Sequence, residues 1–213
     1  MHFYIIFVVI FLLLSNAKSF ADSLFFQETR TSAEHGDVAA QNRLGFLCSK
    51  GDGVSQDYVE AAKWYDIAAE KGDAAAEFNL GVAYHIGHGV INDNDVAVKW
   101  WRKAAEQGLV QAQVSLGSAY HGAIGVTQDS AEAVKWYRKA AEQGDASAQD
   151  MLGGMYSDGD GVSRDYVTGY MWFLLAAKQG HDHANKAISR LKAIMTLDQK
   201  NEGEKRAQEW RRK

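Results

Sequence analysis

Seven histidines, one cysteine and a serine-lysine pair are the side chains that could carry chemistry, and their spacing says how far each can go. His85 and His88 lie three residues apart at the end of an apolar run, and His121 follows His85 by 36 residues. Two or three imidazoles brought together would begin a zinc site. Zinc takes four ligands steadied by a second layer of hydrogen bonds, however, and no thiolate or paired carboxylate accompanies these histidines. His181-Asp182-His183 is a second such cluster. Both read as solvated or surface-lining imidazoles, so no metal and no other cofactor is expected, and a His-mediated metal-responsive regulator is kept as an alternative. Ser189-Arg190-Leu191-Lys192 has the S-x-x-K spacing that sets a lysine beside a nucleophilic serine. Neither S-D-N nor K-T-G occurs anywhere in the chain to complete a base and oxyanion set, so no catalytic residue is assigned. Cys48 is the sole cysteine and cannot close an intramolecular disulfide. Its place on an apolar helical stripe makes it a small packing residue rather than a reactive thiol.

Whatever these side chains do depends on the elements that hold them, and composition limits those. The chain has 213 residues, no proline and 20 glycines. Collagen-like and proline-rich segments are excluded, and long helices joined by glycine-made turns fit best. A hydrophobic fraction of 46% with 11% aromatics is enough for a buried core. The formal charge of −4 gives no basic footprint for a phosphate backbone, so nucleic acid is not an expected partner.

Residues 3–14 form an apolar run followed by Ser15 to Ala21. That is too short to span a bilayer and suits the h-region of an export signal, with Ser19 and Ala21 placed for cleavage between Ala21 and Asp22. An uncleaved anchor is the alternative. Residues 1–21 are therefore expected to be removed, leaving a mature chain of charge −5 in the periplasm or secreted, with no stable membrane insertion.

Self-similarity decides the architecture. Leu44-Gly45, Leu80-Gly81, Leu116-Gly117 and Leu152-Gly153 recur at a constant step of 36 residues. Asp57, Asp93, Asp129 and Asp165 keep the same step, as do Trp64, Trp100, Trp136 and Trp172. Each unit reads as helix, loop and helix. The loop carries glycines such as Gly51 and Gly53 that permit positive φ, the aspartate caps the second helix, and the glycine of the Gly72 type stops it. The small Gly45 position lets a neighbouring backbone come close. The regular tryptophans read as packing between hairpins rather than as sugar platforms, with Trp101 as the one whose exposure needs checking.

Hairpins of this size must stack to bury their stripes. The expected fold is all-α: a right-handed α/α superhelical solenoid of four 36-residue helix-loop-helix repeats with terminal capping helices. The expected divisions are a capping half-repeat at 22–39, repeats at 40–75, 76–111, 112–147 and 148–183, and capping helices at 184–213. Thr196-x-x-Gln199 would open the last helix by reciprocal capping.

The unit A-x-x-x-L-G-x-x-Y-x-x-G-x-G-V-x-x-D-x-x-x-A-x-x-W-Y-x-x-A-A-x-x-G resembles the Sel-one-like repeat family, relatives of tetratricopeptide repeats, over residues 33–194. Cys48, where other units have Tyr84, Tyr120 and Tyr156, and Ala123, in place of a loop glycine, depart from the pattern and read as packing variants. The resemblance implies a non-enzymatic scaffold that binds proteins or peptides, frequently in the bacterial periplasm or at the cell surface, without implying one partner or an oligomeric state. Some cysteine-rich relatives are described as penicillin-binding or weakly β-lactamase-like. That alternative lacks its disulfide cysteines here, and Ser189 alone does not support it.

A helical wheel places the partner surface. Roughly 140–240° away from the Leu44 stripe lie the positions that vary between units, and in tetratricopeptide-like stacks that face lines the concave groove. They are Asn42, Phe46, Ser49 and Lys50; Phe78, Val82, His85 and Ile86; Val114, Ser118, His121 and Gly122; Asp150, Gly154, Ser157 and Asp158. Phe78, Val82, Ile86 and Val114 are the expected apolar anchor, with His85 and His121 beside it and Lys50 or Asp158 orienting a segment by charge. Phe78 and Val114 sealing adjacent hairpins is the competing reading.

Overall fold

The computed structural model describes residues 22–210, and every regular element among them is an α-helix. Residues 1–21, expected to be an export signal, lie outside the described residues. Internal contacts divide the chain into two compact units, one ending at Asp93 and the other starting at Asn94. The first holds α1 (residues 22–34), α2 (Val38–Lys50), α3 (Tyr58–Ala69) and α4 (Ala74–Ile86). The second holds α5 (Asn94–Glu106), α6 (Val110–Gly122), α7 (Ser130–Glu142), α8 (Ala146–Asp158), α9 (Tyr166–Lys178), α10 (Asp182–Ile194) and α11 (Leu197–Trp210).

Helix starts follow from aspartates. Asp57, Asp129 and Asp165 cap α3, α7 and α9, accepting hydrogen bonds from first-turn backbone N–H groups at 2.9–3.1 Å. A second set, absent from the sequence reading, starts α2, α4 and α8: Asp37, Asp73 and Asp145 accept from the N–H of Ala40, Ala76 and Ala148 at 2.7, 2.7 and 2.8 Å. Leu109 holds the same place before α6 and offers no side-chain cap.

Each loop closes on a backbone acceptor. The N–H groups of Asp57, Asp93, Asp129 and Asp165 donate to the carbonyls of Cys48, Tyr84, Tyr120 and Tyr156 at 2.8–3.0 Å. Because the carbonyl is used, the side chain at position 48 can differ without opening the loop. The two loop glycines differ in stringency. At Gly89, φ is +76° and an added Cβ would lie 1.9 Å from the Tyr58 carbonyl oxygen, so no other residue fits. At the earlier position an added Cβ on Gly87 would find nothing nearer than 3.5 Å, and Ala123 adopts φ 55° there in its own repeat.

Within a hairpin the neighbour on the small residue is first an aromatic ring rather than a backbone. A Cβ on Gly45, Gly117 or Gly153 would come within 2.7, 2.9 or 2.6 Å of Tyr65, Tyr137 or Phe173. Trp101 is buried, as are Trp136 and Trp172, while Trp64 and Trp100 are half-buried. Lys103 and Lys139 lie 3.8 and 3.9 Å above the Trp100 and Trp136 rings. Trp101, Trp136 and Trp172 pack in the interior, while Trp64 donates its indole N–H to Glu60 at 2.9 Å.

A glutamine stitch ties successive helices and was also missed. Buried Gln113 and Gln149 donate to the Ala105 and Ala141 carbonyls, and each accepts from a glutamine 30 residues on, Gln143 or Gln179. Gln41 does the same in the first unit, donating to the Ala33 carbonyl at 3.0 Å and accepting from Lys71 at 3.1 Å. Each buried amide is thus satisfied as both donor and acceptor. The recurrence of Gln41, Gln113 and Gln149 in register with the alanine before it was the available signal.

The chain's last helices cover α9. Thr196 N–H donates to Gln199 Oε1 and Gln199 N–H to Thr196 Oγ1, at 2.9 and 3.3 Å, and this reciprocal pair opens α11. Tyr170 is fully buried and donates to Glu204 at 3.2 Å. Burial and the adjacent Glu204 carboxylate push its phenol up to about 12.

Candidate functional site

In the first unit, α2, α3, α4 and the loops after α2 and α4 enclose an open cavity of about 340 Å3. Its apolar wall comes from Phe46 on α2, Tyr58 and Tyr65 on α3, and Val82 and Ile86 on α4. Helical periodicity puts Phe46 and Ile86 opposite the buried Leu44 and Leu80, and both remain 46% and 49% exposed. Phe46 and Ile86 line the same cavity with Val82, so they form one apolar wall rather than isolated exposed side chains. Lys50 is the sole Lys, Arg, Asp or Glu in the lining, and its Nζ stands 5.8 Å from the Phe46 ring centroid.

The polar rim is organised from within. Gln56 Nε2 donates both to the Ser49 carbonyl and to Tyr58 Oη at 2.9 Å. The Tyr58 ring stacks on His88 with centroids 4.0 Å apart and planes 33° apart. Asn79 Nδ2 donates to Asn42 Oδ1 at 3.0 Å, tying α4 to α2. Burial pushes the Tyr65 phenol above its ordinary range, only partly offset by its long contact with Ser49 Oγ. Nothing here pairs a nucleophile with a base. The arrangement offers a ring-lined slot, hydrogen-bonding groups and one cation, which suits holding a ligand.

Of the residues placed by the helical wheel, Phe46, Ser49, Lys50, Val82 and Ile86 come together here, and Asn42 stands beside them through Asn79. Phe78 and His85 are half-buried and outside the lining. Tyr58, Gln56 and His88 were missed because they sit in or next to the loops, where a wheel drawn on the first helix of each hairpin assigns nothing.

The remaining wheel positions lie in the second unit. Val114 is half-buried against the core, and Ser118 Oγ lies 3.0 Å from Tyr137 Oη. His121 Nε2 meets Asp160 Oδ2 at 2.9 Å, and hydrogen bonds from Ser130 and His121 hold the Asp160 carboxyl below its ordinary range. Asp158 is exposed. Asp150 requires correction: it is not an accessible groove end but a carboxylate 2% exposed. His183 Nδ1 lies 2.8 Å from its Oδ2 and so ties the first turn of α10 to α8, while His181 Nδ1, 3.6 Å from its Oδ1, stands beyond hydrogen-bond reach. A buried carboxylate needs such partners.

His88 is stacked on Tyr58, His121 is engaged with Asp160, and among the described residues no group of three His, Cys, Asp or Glu is arranged to hold a metal ion. Ser189 Oγ donates to the Asn185 carbonyl at 3.1 Å, directing its proton to a group that cannot act as a base. No helix among the described residues is long and apolar enough to cross a membrane.

Comparison with curated proteins gives no match. Among solved structures, the chain is 44% identical to c5321, described as a protective antigen present in uropathogenic Escherichia coli strains and displaying an SLR fold, with a TM-score of 0.73. That match covers 75% of this chain and 34% of the other. It is 34% identical to a Sel1 repeat protein from Oxalobacter formigenes, with a TM-score of 0.75, covering 80% of this chain and 49% of that one. The chain thus spans about a third to a half of these relatives' lengths. The Sel1 repeat family model matches residues 38–73, 74–109, 110–145 and 146–181, each starting at the first residue of its first helix (Val38, Ala74, Val110 or Ala146), two residues ahead of the expected divisions. With four matched repeats over most of its length and an all-helical hairpin architecture, the chain belongs to the Sel1 repeat family, whose solenoid members generally act as non-enzymatic protein-interaction scaffolds.

Proposed function

We propose that the protein is an exported adaptor that holds a peptide segment of a partner protein in the cavity between α2, α3 and α4. The observation that carries this reading is the exposure of Phe46 and Ile86 on the walls of a 340 Å3 cavity, with Lys50 as the only fixed charge in it. Two apolar side chains of the segment would enter between the rings, and a carboxylate near them would meet Lys50. Export to the periplasm or beyond the cell rests on the leader at residues 1–21. It is supported by the likeness to c5321, because a protective antigen must be reached by what protects.

The test is capture of partner from native envelope by the tagged chain and by two variants. Ile86→Asp is expected to reduce recovery of a specific partner at least about tenfold, as loss of a central apolar anchor does. Ile67→Asp, at an exposed α3 position outside the cavity, should leave recovery unchanged. Equal recovery by both variants, with helicity preserved, would refute the assignment.

A further inference from the structure

A gap in the first unit becomes visible when the repeats are set in register. In the second unit Tyr120 and Tyr156 pack against the core, and each phenol oxygen accepts a hydrogen bond from the arginine 18 residues earlier, Arg102 or Arg138. Each guanidinium also lies 5.5 or 5.9 Å from the ring centroid. Two repeats upstream of Arg102 and Tyr120 the same positions are Arg30 and Cys48. The arginine is kept and the phenol is missing.

Beside Cys48 lies a cavity of about 470 Å3. Phe26, Leu44 and Cys48 form its buried floor, and Arg30, Glu60 and Trp64 stand around it. Phe26 occupies the register of Val98 and Val134, so its larger ring replaces part of the missing volume, and the cavity is what is left. Asp57 and Glu60 are the register mates of Asp129 and Glu132. Burial, with these two carboxylates nearby, pushes the Cys48 thiol upward and keeps it protonated, so the position is a packing vacancy rather than a nucleophile. Arg30 bonds Glu34 through Nε at 2.8 Å, whereas Arg102 and Arg138 serve their tyrosines through Nη2. The donors of the kind that hold a phenol are therefore still carried on Arg30. Apart from Gln56, this cavity shares no lining residue with the one on α2, α3 and α4 assigned to the partner segment.

We propose that the cavity beside Cys48 is a binding site for a para-substituted phenol, its ring taking the place that Tyr120 and Tyr156 fill in their repeats and its hydroxyl accepting a hydrogen bond from Arg30. Glu60, whose Oε1 already accepts from the Trp64 indole N–H at 2.9 Å, keeps lone pairs that can accept the phenol's own proton, which separates a phenol from a plain arene. The ring chemistry is the same whether the ligand reaches the site free or as the tyrosine of a partner segment.

Titration of the isotope-labelled full chain with 4-methylphenol, followed by NMR, tests this. Saturable shifts are expected at the amides of Phe26, Cys48 and Trp64, with an affinity on the order of millimolar for so small a ligand. Cys48→Tyr should fill the vacancy and abolish the shifts. Arg30→Gln should weaken 4-methylphenol by roughly tenfold and leave toluene unaffected, which keeps the proposal testable should the tyrosine variant fold poorly. N-acetyltyrosinamide binding as well as 4-methylphenol assigns the ligand to a partner's tyrosine, and binding of 4-methylphenol alone assigns it to a free phenol. Absence of saturable shifts at these amides, or an undiminished response in Cys48→Tyr or Arg30→Gln, overturns the proposal.

Discussion

At the scale of single residues, the loops show which repeated glycines are obligatory. Gly89→Ala drives a methyl group into the Tyr58 carbonyl and should destabilise by about 4 kcal/mol or prevent folding, at the extreme of single-site effects. Gly87→Ala meets only the left-handed backbone penalty and should cost about 1–2 kcal/mol. Urea denaturation of both variants measures the difference. Tyr170 makes a pH prediction. Its folded-state value of about 12 lies above the ordinary value near 10, so the folded chain holds a proton that the unfolded chain releases. The stability this contributes is complete below pH 10 and is lost as pH rises toward 12. Tyr170→Phe should lower stability at pH 8 by about 1 kcal/mol, for the lost bond to Glu204, and give a shallower alkaline decline in urea midpoint. Phe46 and Ile86 were legible in the sequence because a helical period fixes which face a residue takes. The burial of Asp150 was not, because His183, which holds it, lies 33 residues further on and reaches it only through tertiary packing.

Helices and their ends form the next scale. The 36-residue step made the hairpins readable, since every loop closes through backbone groups whose geometry tolerates side-chain change, as at Cys48 and Ala123. The aspartates at the starts of α2, α4 and α8 escaped notice because each follows the glycine that ends the previous helix and reads first as part of a stop. Leu109 is the exception that makes this testable. Leu109→Asp restores an acceptor for the first-turn N–H groups of α6 and should raise stability by about 1 kcal/mol, seen as a higher urea midpoint at unchanged slope. The glutamine stitch was invisible for a related reason: a buried amide in an apolar stripe looks like a surface interruption until its acceptor carbonyl is known.

For the whole molecule, the repeat family follows from pattern alone, while what the surface holds depends on where loops bring Gln56, Tyr58 and His88 against the helical positions. Export makes a separate expectation: the chain recovered from the periplasm or medium should begin at Asp22, as intact mass will register. The central claim is that the partner lies between α2, α3 and α4. Photo-crosslinking in native cells, with a benzophenone amino acid at Ile86 or Phe46 and at Ile67 as the outside position, addresses it most directly. The account predicts one discrete crosslinked species from Ile86 and Phe46 and none from Ile67. A species formed from Ile67 alone, or equally from all three positions, would contradict it.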